Sequence, residues 1–228
     1  GGGLPEPKEK FLKHKIENYI TVANDGDADR YGVLDEFGNY VSPNIVLSLL
    51  LKYLSKKGAK GKMVKTVGVS NLVGVVAEKL NIETITTPVG FKWLGQAMRE
   101  NETILAGEDS GGLSVGSHIP EKDGLLANLL IIEMIASEKK SLNQLVKEIK
   151  EFANAEFFTD RVDLKLDNDE KIKKIMEDFS SKKDVAGFLV KDILTLDGIK
   201  LFLDNSNTSL LIRKSGTEAL LRFYIESD

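Results

Sequence analysis

Alternating strand-like and helix-like segments constrain the fold of this chain more than any other feature of its sequence. The strand candidates are 63–67, 82–86 and 103–106, and the helix candidates around them are 42–54, 71–80, 91–100, 124–137 and 142–150. Buried strands that alternate with helices of this length are typical of βαβ units, which form a mostly parallel sheet covered by helices. The sequence therefore predicts an α/β domain, opened by the Ser42-Pro43 pair that favours a helix start.

Different patterns precede and follow this domain. Residues 5–18 carry apolar side chains at helical spacing and predict an amphipathic helix. Two strand candidates, 19–23 and 31–34, then enclose a polar loop. After Glu151 the pattern changes to an alternating strand, one helix and four further short strands, which is typical of an α+β domain.

The composition excludes several classes of protein. The chain has 228 residues, of which 42% are hydrophobic, enough for one or two buried cores. Its net charge of −4 gives no support to nucleic-acid binding, and its apolar runs are too short to span a membrane. The absence of cysteine excludes disulfides and thiol catalysis. Together with the lack of a visible export signal, it favours a cytoplasmic location.

The acidic loop, Asn24-Asp-Gly-Asp-Ala-Asp-Arg30, is the strongest chemical signal. Its carboxylates stand at alternate positions, Asp25, Asp27 and Asp29. Like charges this close repel, so they converge only around a cation, and oxygen ligands favour Mg²⁺ or Ca²⁺. A solvated turn is one alternative. An EF-hand is another, but its pattern requires glycine where Arg30 stands and helices where strands are predicted.

The glycine-rich loop, residues 107–116, follows a predicted strand at the edge where α/β sheets bind ligands. Glu108 and Ser110 offer an acceptor and a donor beside glycines that would let a sugar approach closely. His118 and Lys122 follow shortly afterwards. Taken alone, this stretch is equally typical of an ordinary polar turn with a surface histidine.

The terminal loop, residues 213–218, has the composition of a phosphate site. Arg213 supplies a planar fork of donors, Ser215 and Thr217 supply hydroxyls, and Gly216 leaves its backbone N–H accessible. An exposed hairpin turn is the alternative. The loop lacks the glycine spacing of a P-loop.

One family contains these strings in this order. ANDGDADRYGV resembles the metal-binding loop of the α-D-phosphohexomutases, the phosphoglucomutase and phosphomannomutase superfamily. TPVGFKWLGQAM and AGEDSGGLSVGSHIPEKDG resemble its sugar-recognition segment, and RKSGTEALLRFYIES resembles its phosphate-binding loop. GEDSGG is more similar to glucose-phosphate mutases than to relatives with GE-x-SGH, which accept mannose or glucosamine phosphates.

The resemblance implies an isomerase that moves phosphate between C1 and C6 of a hexose phosphate. The chemistry would use Mg²⁺, a phosphoserine and a hexose 1,6-bisphosphate intermediate. Asp25, Asp27 and Asp29 would hold the metal. The implied catalytic residues are Arg30, Lys122 and His118, and the implied substrate-binding residues are Glu108, Ser110, Lys92, Arg213, Ser215, Gly216 and Thr217. For Lys92 a solvated lysine at a helix start is an equal alternative.

The resemblance also implies a domain arrangement. Residues 1–41 would be the C-terminal part of domain 2, 42–152 the sugar-recognition domain 3, and 153–228 an incomplete domain 4 that binds phosphate. The fold expected is a three-layer βαβ domain with a mixed, largely parallel sheet, followed by a smaller α+β domain. The stretch between Leu12 and Ile20 is shorter than in relatives.

The family's nucleophile loop, a Thr-x-Ser-His-Asn-Pro-like string, does not occur in this sequence. We therefore expect a C-terminal fragment that is inactive alone and works with the N-terminal part of the same enzyme. Two other interpretations remain open at this point. One is a non-catalytic module that binds calcium or a sugar phosphate, and the other is a phosphatase in which a loop aspartate is the nucleophile.

Overall fold

The computed structural model describes residues 19–166, 168–204, 207–215 and 220–227. The helix predicted for 5–18 and the loop residues Gly216 and Thr217 lie outside the described residues. The chain divides between Ala155 and Glu156 into two units, each with its own core.

The first unit begins with an antiparallel sheet of three strands, β1 (Thr21–Asn24), β2 (Tyr31–Leu34) and β3 (Tyr40–Val41). Asn24 pairs with Tyr31, so the acidic loop closes the β1–β2 hairpin. The carboxylate of Asp35 shapes the next turn, because its Oδ1 accepts the backbone N–H groups of Phe37 and Asn39 at 2.9 and 2.8 Å.

Helices and strands then alternate, as the sequence predicts. The elements are α1 (Pro43–Lys56), β4 (Lys62–Thr66), α2 (Asn71–Lys79), β5 (Thr84–Thr87), α3 (Phe91–Glu100), β6 (Thr103–Gly107), β7 (Leu113–Val115), α4 (Gly124–Glu138) and α5 (Leu142–Ala153). The sheet order is β5-β4-β6-β7, in which the first three strands are parallel and β7 is antiparallel to β6. Helix α2 connects β4 to β5 in one direction along the sheet, and α3 connects β5 to β6 in the other. Because such crossovers are right-handed, the two helices lie on opposite faces of the sheet.

Side-chain caps fix where several of these helices begin. Ser42 accepts the N–H of Ile45, and Pro43 occupies the first turn of α1. Ser141 and Gln144 form a reciprocal capping box at the start of α5. Helix α3 has no side-chain cap, and its Phe91, Leu94 and Ala97 form a buried cluster with Val64 of β4 and Ala106 of β6.

The second unit is an antiparallel sheet with one helix. Its elements are β8 (Phe158–Lys165), α6 (Asp169–Ser180), β9 (Asp184–Val185), β10 (Phe188–Leu194), β11 (Ile199–Leu203), β12 (Ser209–Lys214) and β13 (Leu220–Ser227). The strand order is β8-β13-β12-β11-β10-β9. Ile172 of α6 packs against Ile212 and Leu221 on one face of the sheet.

The predicted fold class is confirmed: an α/β unit with a mixed, largely parallel sheet is followed by a smaller α+β unit. Three short strands, β3, β7 and β9, were not predicted. Strand β7 lies inside the stretch predicted as one glycine-rich loop, because Leu113–Val115 pairs with β6. In the part of the chain that the structure describes, no helix has the length and hydropathy needed to cross a bilayer.

Two helical glycines provide a test of how tightly α3 packs. A Cβ added at Gly95 would clash with the carbonyl oxygen of Pro120, whereas a Cβ at Gly74 of α2 would meet nothing within 4 Å. We expect Gly95→Ala to lower the free energy of unfolding by about 1–3 kcal/mol. Gly74→Ala should raise it by about 0.5–1 kcal/mol, because alanine favours the helix.

Urea unfolding of the two variants beside the parent chain measures both effects. Equal changes of the same sign would contradict the packing of α3 against Pro120.

Candidate active site

The acidic loop brings its three aspartates together at the tip of the β1–β2 hairpin. One carboxylate oxygen from each of Asp25, Asp27 and Asp29 lies within 4.8 Å of the other two. The Asp25 side chain is fully buried, Asp29 is 24% exposed, and Asp27 faces solvent. The structure thus has the convergence that alternate spacing alone only suggested.

Two cations partly neutralise this cluster. Arg30 Nε lies 2.5 Å from Asp25 Oδ2, and the Arg30 backbone N–H donates to Asp25 Oδ1 at 3.1 Å. Lys122 reaches the loop from further along the chain and places its ammonium 2.6 Å from Asp29 Oδ2. Burial acts to raise the pKa of Asp25, but the hydrogen bonds and charge of Arg30 outweigh it and lower that pKa.

The aspartate cluster fits a hard divalent cation. Among the described residues, Asp29 Oδ1 is buried and accepts no hydrogen bond. Its ion-pair partner, Arg30 Nε, is 3.5 Å away, so a carboxylate oxygen remains for a ligand. The site offers only oxygen ligands, of the kind that Mg²⁺ and Ca²⁺ prefer. Strands β1 and β2 flank the loop, so the EF-hand alternative, which requires helices, is excluded.

Close backbone contacts hold the acidic loop against the glycine-rich loop and the start of α4. The Tyr31 N–H donates to the Gly111 carbonyl oxygen at 3.0 Å, and the Gly124 N–H donates to the Ala28 carbonyl oxygen at 3.0 Å. A Cβ at Gly111 would lie 2.7 Å from the Tyr31 oxygen, and one at Gly124 would lie 2.5 Å from the Arg30 oxygen. Glycine is therefore required at both contacts.

A pair of amides links the same loop to α4. The Asn128 Nδ2 donates to the Ala23 carbonyl oxygen at 3.2 Å and to Asn24 Oδ1 at 3.0 Å. The Asn24 Nδ2 in turn donates to the Arg30 carbonyl oxygen at 3.0 Å. Helix α4 thus fixes both ends of the acidic loop.

Glu108 lies in the glycine-rich loop, directly after β6, and is 6% exposed. Its Oε1 accepts the backbone N–H of Gly90 at 3.1 Å. Burial, followed by the neighbouring charge of Asp109, raises the pKa of Glu108 to about 7, although Lys122 and the Gly90 hydrogen bond oppose the shift. Near neutral pH a buried carboxyl with this pKa can donate a hydrogen bond to a polar ligand as well as accept one.

The other predicted residues of this region differ in their surroundings. Ser110 is half-buried in the turn after Glu108. His118 is also half-buried, and its Nε2 lies 3.0 Å from Asp123 Oδ2. Lys92 is exposed on the first turn of α3, where its ammonium lies 4.8 Å from the ring centre of Trp93.

Sequence reasoning missed Lys65. It is 7% exposed on β4, where it pairs in register with Gly107, and its ammonium donates to the Val69 carbonyl oxygen at 3.4 Å. The signal that could have found it was a lysine inside a strand buried on both sides. Because Glu108 directly follows Gly107, Lys65 adds a positive charge at the same edge of the sheet as Glu108.

The terminal loop belongs to the second unit. Arg213 is mostly buried and donates from Nη2 to Asp197 Oδ2 at 2.9 Å, while its Nε makes no hydrogen bond to any described residue. Ser215 is 5% exposed, and its backbone N–H donates to the Leu220 carbonyl oxygen at 2.9 Å. Gly216 and Thr217 lie outside the described residues.

The fold and the site define an α/β protein in which a cluster of aspartates that fits a hard metal is packed against the loop of a buried glutamate. Residues 42–152 match the sequence family described as phosphoglucomutase/phosphomannomutase, alpha/beta/alpha domain III. The chain is 31% identical to a phosphoglucosamine mutase of Methanocaldococcus jannaschii, over 99% of this chain and 50% of the relative. It is 29% identical to a phosphoglucomutase/phosphomannomutase of Thermococcus kodakarensis, over 98% of this chain and 48% of the relative.

Two solved structures are also similar to this chain. A protein from Thermus thermophilus, solved as a candidate phosphomannomutase, matches with a TM-score of 0.80 and 32% identity over 98% of this chain and 47% of its own. The N-acetylphosphoglucosamine mutase of Aspergillus fumigatus, solved with GlcNAc-6P and magnesium, shares the fold at a TM-score of 0.65 and 12% identity, over 97% of this chain and 53% of its own.

The chain belongs to the α-D-phosphohexomutase superfamily and matches the C-terminal part of its members. It spans about half the length of the curated relatives it matches. The family expected from the sequence motifs is confirmed.

The raised pKa of Glu108 predicts a pH-dependent stability in metal-free buffer. The folded chain holds a proton on Glu108 up to pH about 7, whereas an ordinary glutamate, as in the unfolded chain, has a pKa of 4.5. Stability is therefore fully present below pH 4.5 and falls as pH rises through 7, by about 3 kcal/mol. Glu108→Gln cannot ionise, so it should remove this loss.

Urea unfolding at pH 5 and pH 8.5, with a chelator present, checks the difference between the two chains. Equal losses of stability in the parent and in Glu108→Gln would show that Glu108 is not the group responsible.

Proposed function

We propose that this chain carries the metal and sugar sites of a phosphohexomutase, an isomerase that moves phosphate between C1 and C6 of a hexose phosphate. The observation that supports this function best is the ion pair between Lys122 and Asp29, because it joins the metal-ligand cluster to the segment that carries Glu108. Relatives named phosphoglucosamine mutase and phosphoglucomutase/phosphomannomutase match nearly the whole of this chain in sequence, and a protein solved as a candidate phosphomannomutase shares its fold.

The acidic loop would hold Mg²⁺ through Asp25, Asp27 and Asp29, and Asp29 Oδ1 is a buried carboxylate oxygen that accepts no hydrogen bond from the described residues. The bound ion would withdraw charge from the phosphoryl group that is transferred. Arg30 pairs with Asp25 and Lys122 pairs with Asp29, so both cations lie at the acidic loop, where they would bind the oxygens of that phosphoryl group. His118 would donate or accept a proton at the same rim.

Sugar recognition would fall to Glu108 and Ser110. In either protonation state Glu108 accepts hydrogen bonds from sugar hydroxyls, and with a pKa of about 7 it also donates one when protonated. Lys92 would approach the ligand from the start of α3. The phosphate that does not react would be bound by the terminal loop, through Arg213, Ser215, Gly216 and Thr217.

The sequence contains no Thr-x-Ser-His-Asn-Pro-like loop, so the phosphoserine would come from residues outside this chain. Its partner would be the N-terminal part of the same enzyme, and a hexose 1,6-bisphosphate would pass between the two phosphate positions. In this proposal, residues 1–41 complete domain 2, 42–152 form domain 3 and 153–228 belong to domain 4. The enzyme would act in the cytoplasm.

Binding and turnover separate these roles. We expect the 228-residue chain with Mg²⁺ to bind glucose 1,6-bisphosphate, and Glu108→Ala to weaken that binding at least ~10-fold, because a buried hydrogen-bonding group is lost. The chain should not convert glucose 1-phosphate to glucose 6-phosphate. Calorimetry measures the first result and a coupled assay the second.

Glu102→Ala is the matched control, because Glu102 stands exposed at the opposite end of the strand that Glu108 follows. It should bind the bisphosphate as the parent chain does. Equal binding by the Glu108 and Glu102 variants would contradict the sugar role. Turnover by the purified chain at ordinary enzyme rates, ~1–10³ s⁻¹, would contradict the need for an external phosphoserine.

A further inference from the structure

Asp123 stands between the two residues that join α4 to the acidic loop. Its neighbour Lys122 makes the ion pair with Asp29, and its neighbour Gly124 donates its N–H to the Ala28 carbonyl oxygen. The Asp123 backbone is fixed as well, because its own N–H donates to the carbonyl oxygen of Leu113 in β7 at 2.9 Å. Its side chain therefore occupies a defined place beside the site.

The two carboxylate oxygens of Asp123 have different partners. Oδ1 accepts the N–H of Leu126 at 2.9 Å and caps α4. Oδ2 lies 3.0 Å from Nε2 of His118. Capping needs only one oxygen, and serine or asparagine would cap as well. Capping of α4 alone therefore does not account for the contact between Asp123 and His118.

That contact fixes the imidazole of His118 through one nitrogen. Nε2 faces Asp123, so Nδ1 is the nitrogen left for a ligand. The His118 backbone N–H donates to the Val115 carbonyl oxygen at 3.0 Å, which restrains the main chain below the ring. A carboxylate on one ring nitrogen orients a histidine and stabilises its protonated form.

We propose that Asp123 is a positioning residue, which orients the His118 ring through Nε2 and so presents Nδ1 to the phosphorylated substrate. The identity of that ligand rests on the proposed function. The orientation of His118 does not, because it depends only on contacts within the chain.

The surroundings of the neighbouring charged groups indicate that Asp123 is the group that orients His118. Glu121 is exposed, and its carboxylate accepts the backbone N–H of Lys122 at 2.9 Å. The ammonium of Lys122 is directed to Asp29, and Arg99 of α3 lies on the Gly95 side of the Pro120 turn. The Leu126 amide and then His118 lower the pKa of Asp123, so it is ionised at neutral pH.

Three variants of the 228-residue chain test this role by NMR of the histidine side chains. The sequence has only two histidines, so His118→Gln identifies the His118 signals. Asp123→Ser retains a capping side chain but removes the partner of Nε2, so the Hα–Hβ couplings of His118 should change from those of one χ1 rotamer to an average over several. Asp123→Asn keeps an oxygen that accepts a hydrogen bond, so it should retain the couplings of the parent chain. The unfolding temperatures of both variants should stay close to that of the parent chain.

Glu121→Gln is the matched control, since it changes an exposed carboxylate two residues from Asp123, and it should leave the His118 couplings unchanged. Unchanged couplings in Asp123→Ser would overturn the proposal. Averaged couplings in Glu121→Gln would also overturn it, because the orientation of His118 would then not depend on Asp123 in particular.

A second readout links the pair to the ligand. Binding of glucose 6-phosphate should weaken at least ~10-fold in Asp123→Ser and recover in Asp123→Asn. Equal binding by the parent chain and Asp123→Ser would overturn the role in binding. If none of the chains bound the sugar phosphate, the proposed function would fail, and the His118 couplings would still decide whether Asp123 orients the ring.

Discussion

The contact between the acidic loop and the segment 107–124 is the constraint on which the rest of the site depends. Two backbone hydrogen bonds at 3.0 Å and the bridge between Arg30 and Gly112 bring together stretches about 80 residues apart in sequence. The approach is possible because Gly111 and Gly124 have no Cβ. Without it, Lys122 would not reach Asp29, and the metal ligands would lie apart from Glu108.

This contact concentrates negative charge that the protein only partly compensates. Arg30 and Lys122 neutralise Asp25 and Asp29, while Asp27, Glu108 and Asp109 add further carboxyls to the same region. Glu108 responds with a pKa of about 7. Such a site is energetically costly in the free protein and becomes favourable when a divalent cation and a phosphorylated sugar bind.

The sequence predicted the helices and parallel strands well, because regularly spaced apolar residues in a long segment show which side of the element is buried. It missed β7, since Leu113–Val115 is too short to show a period and its pairing with β6 is a tertiary contact. The three aspartates were identifiable from spacing. The ion pair of Lys122, the buried Lys65 and the second contact of Asp123 depend on which loops meet, and no local pattern encodes that.

Mg²⁺ titration of the 228-residue chain by calorimetry tests the central claim, that the acidic loop is a metal site in competition with Lys122. One ion should bind, Asp29→Asn should weaken it at least ~10-fold because a charged ligand is lost, and Lys122→Met should strengthen it because Asp29 is released. Asp160→Asn, which changes an exposed carboxylate of β8, is the control. Equal affinities for Asp29→Asn and Asp160→Asn would contradict the account.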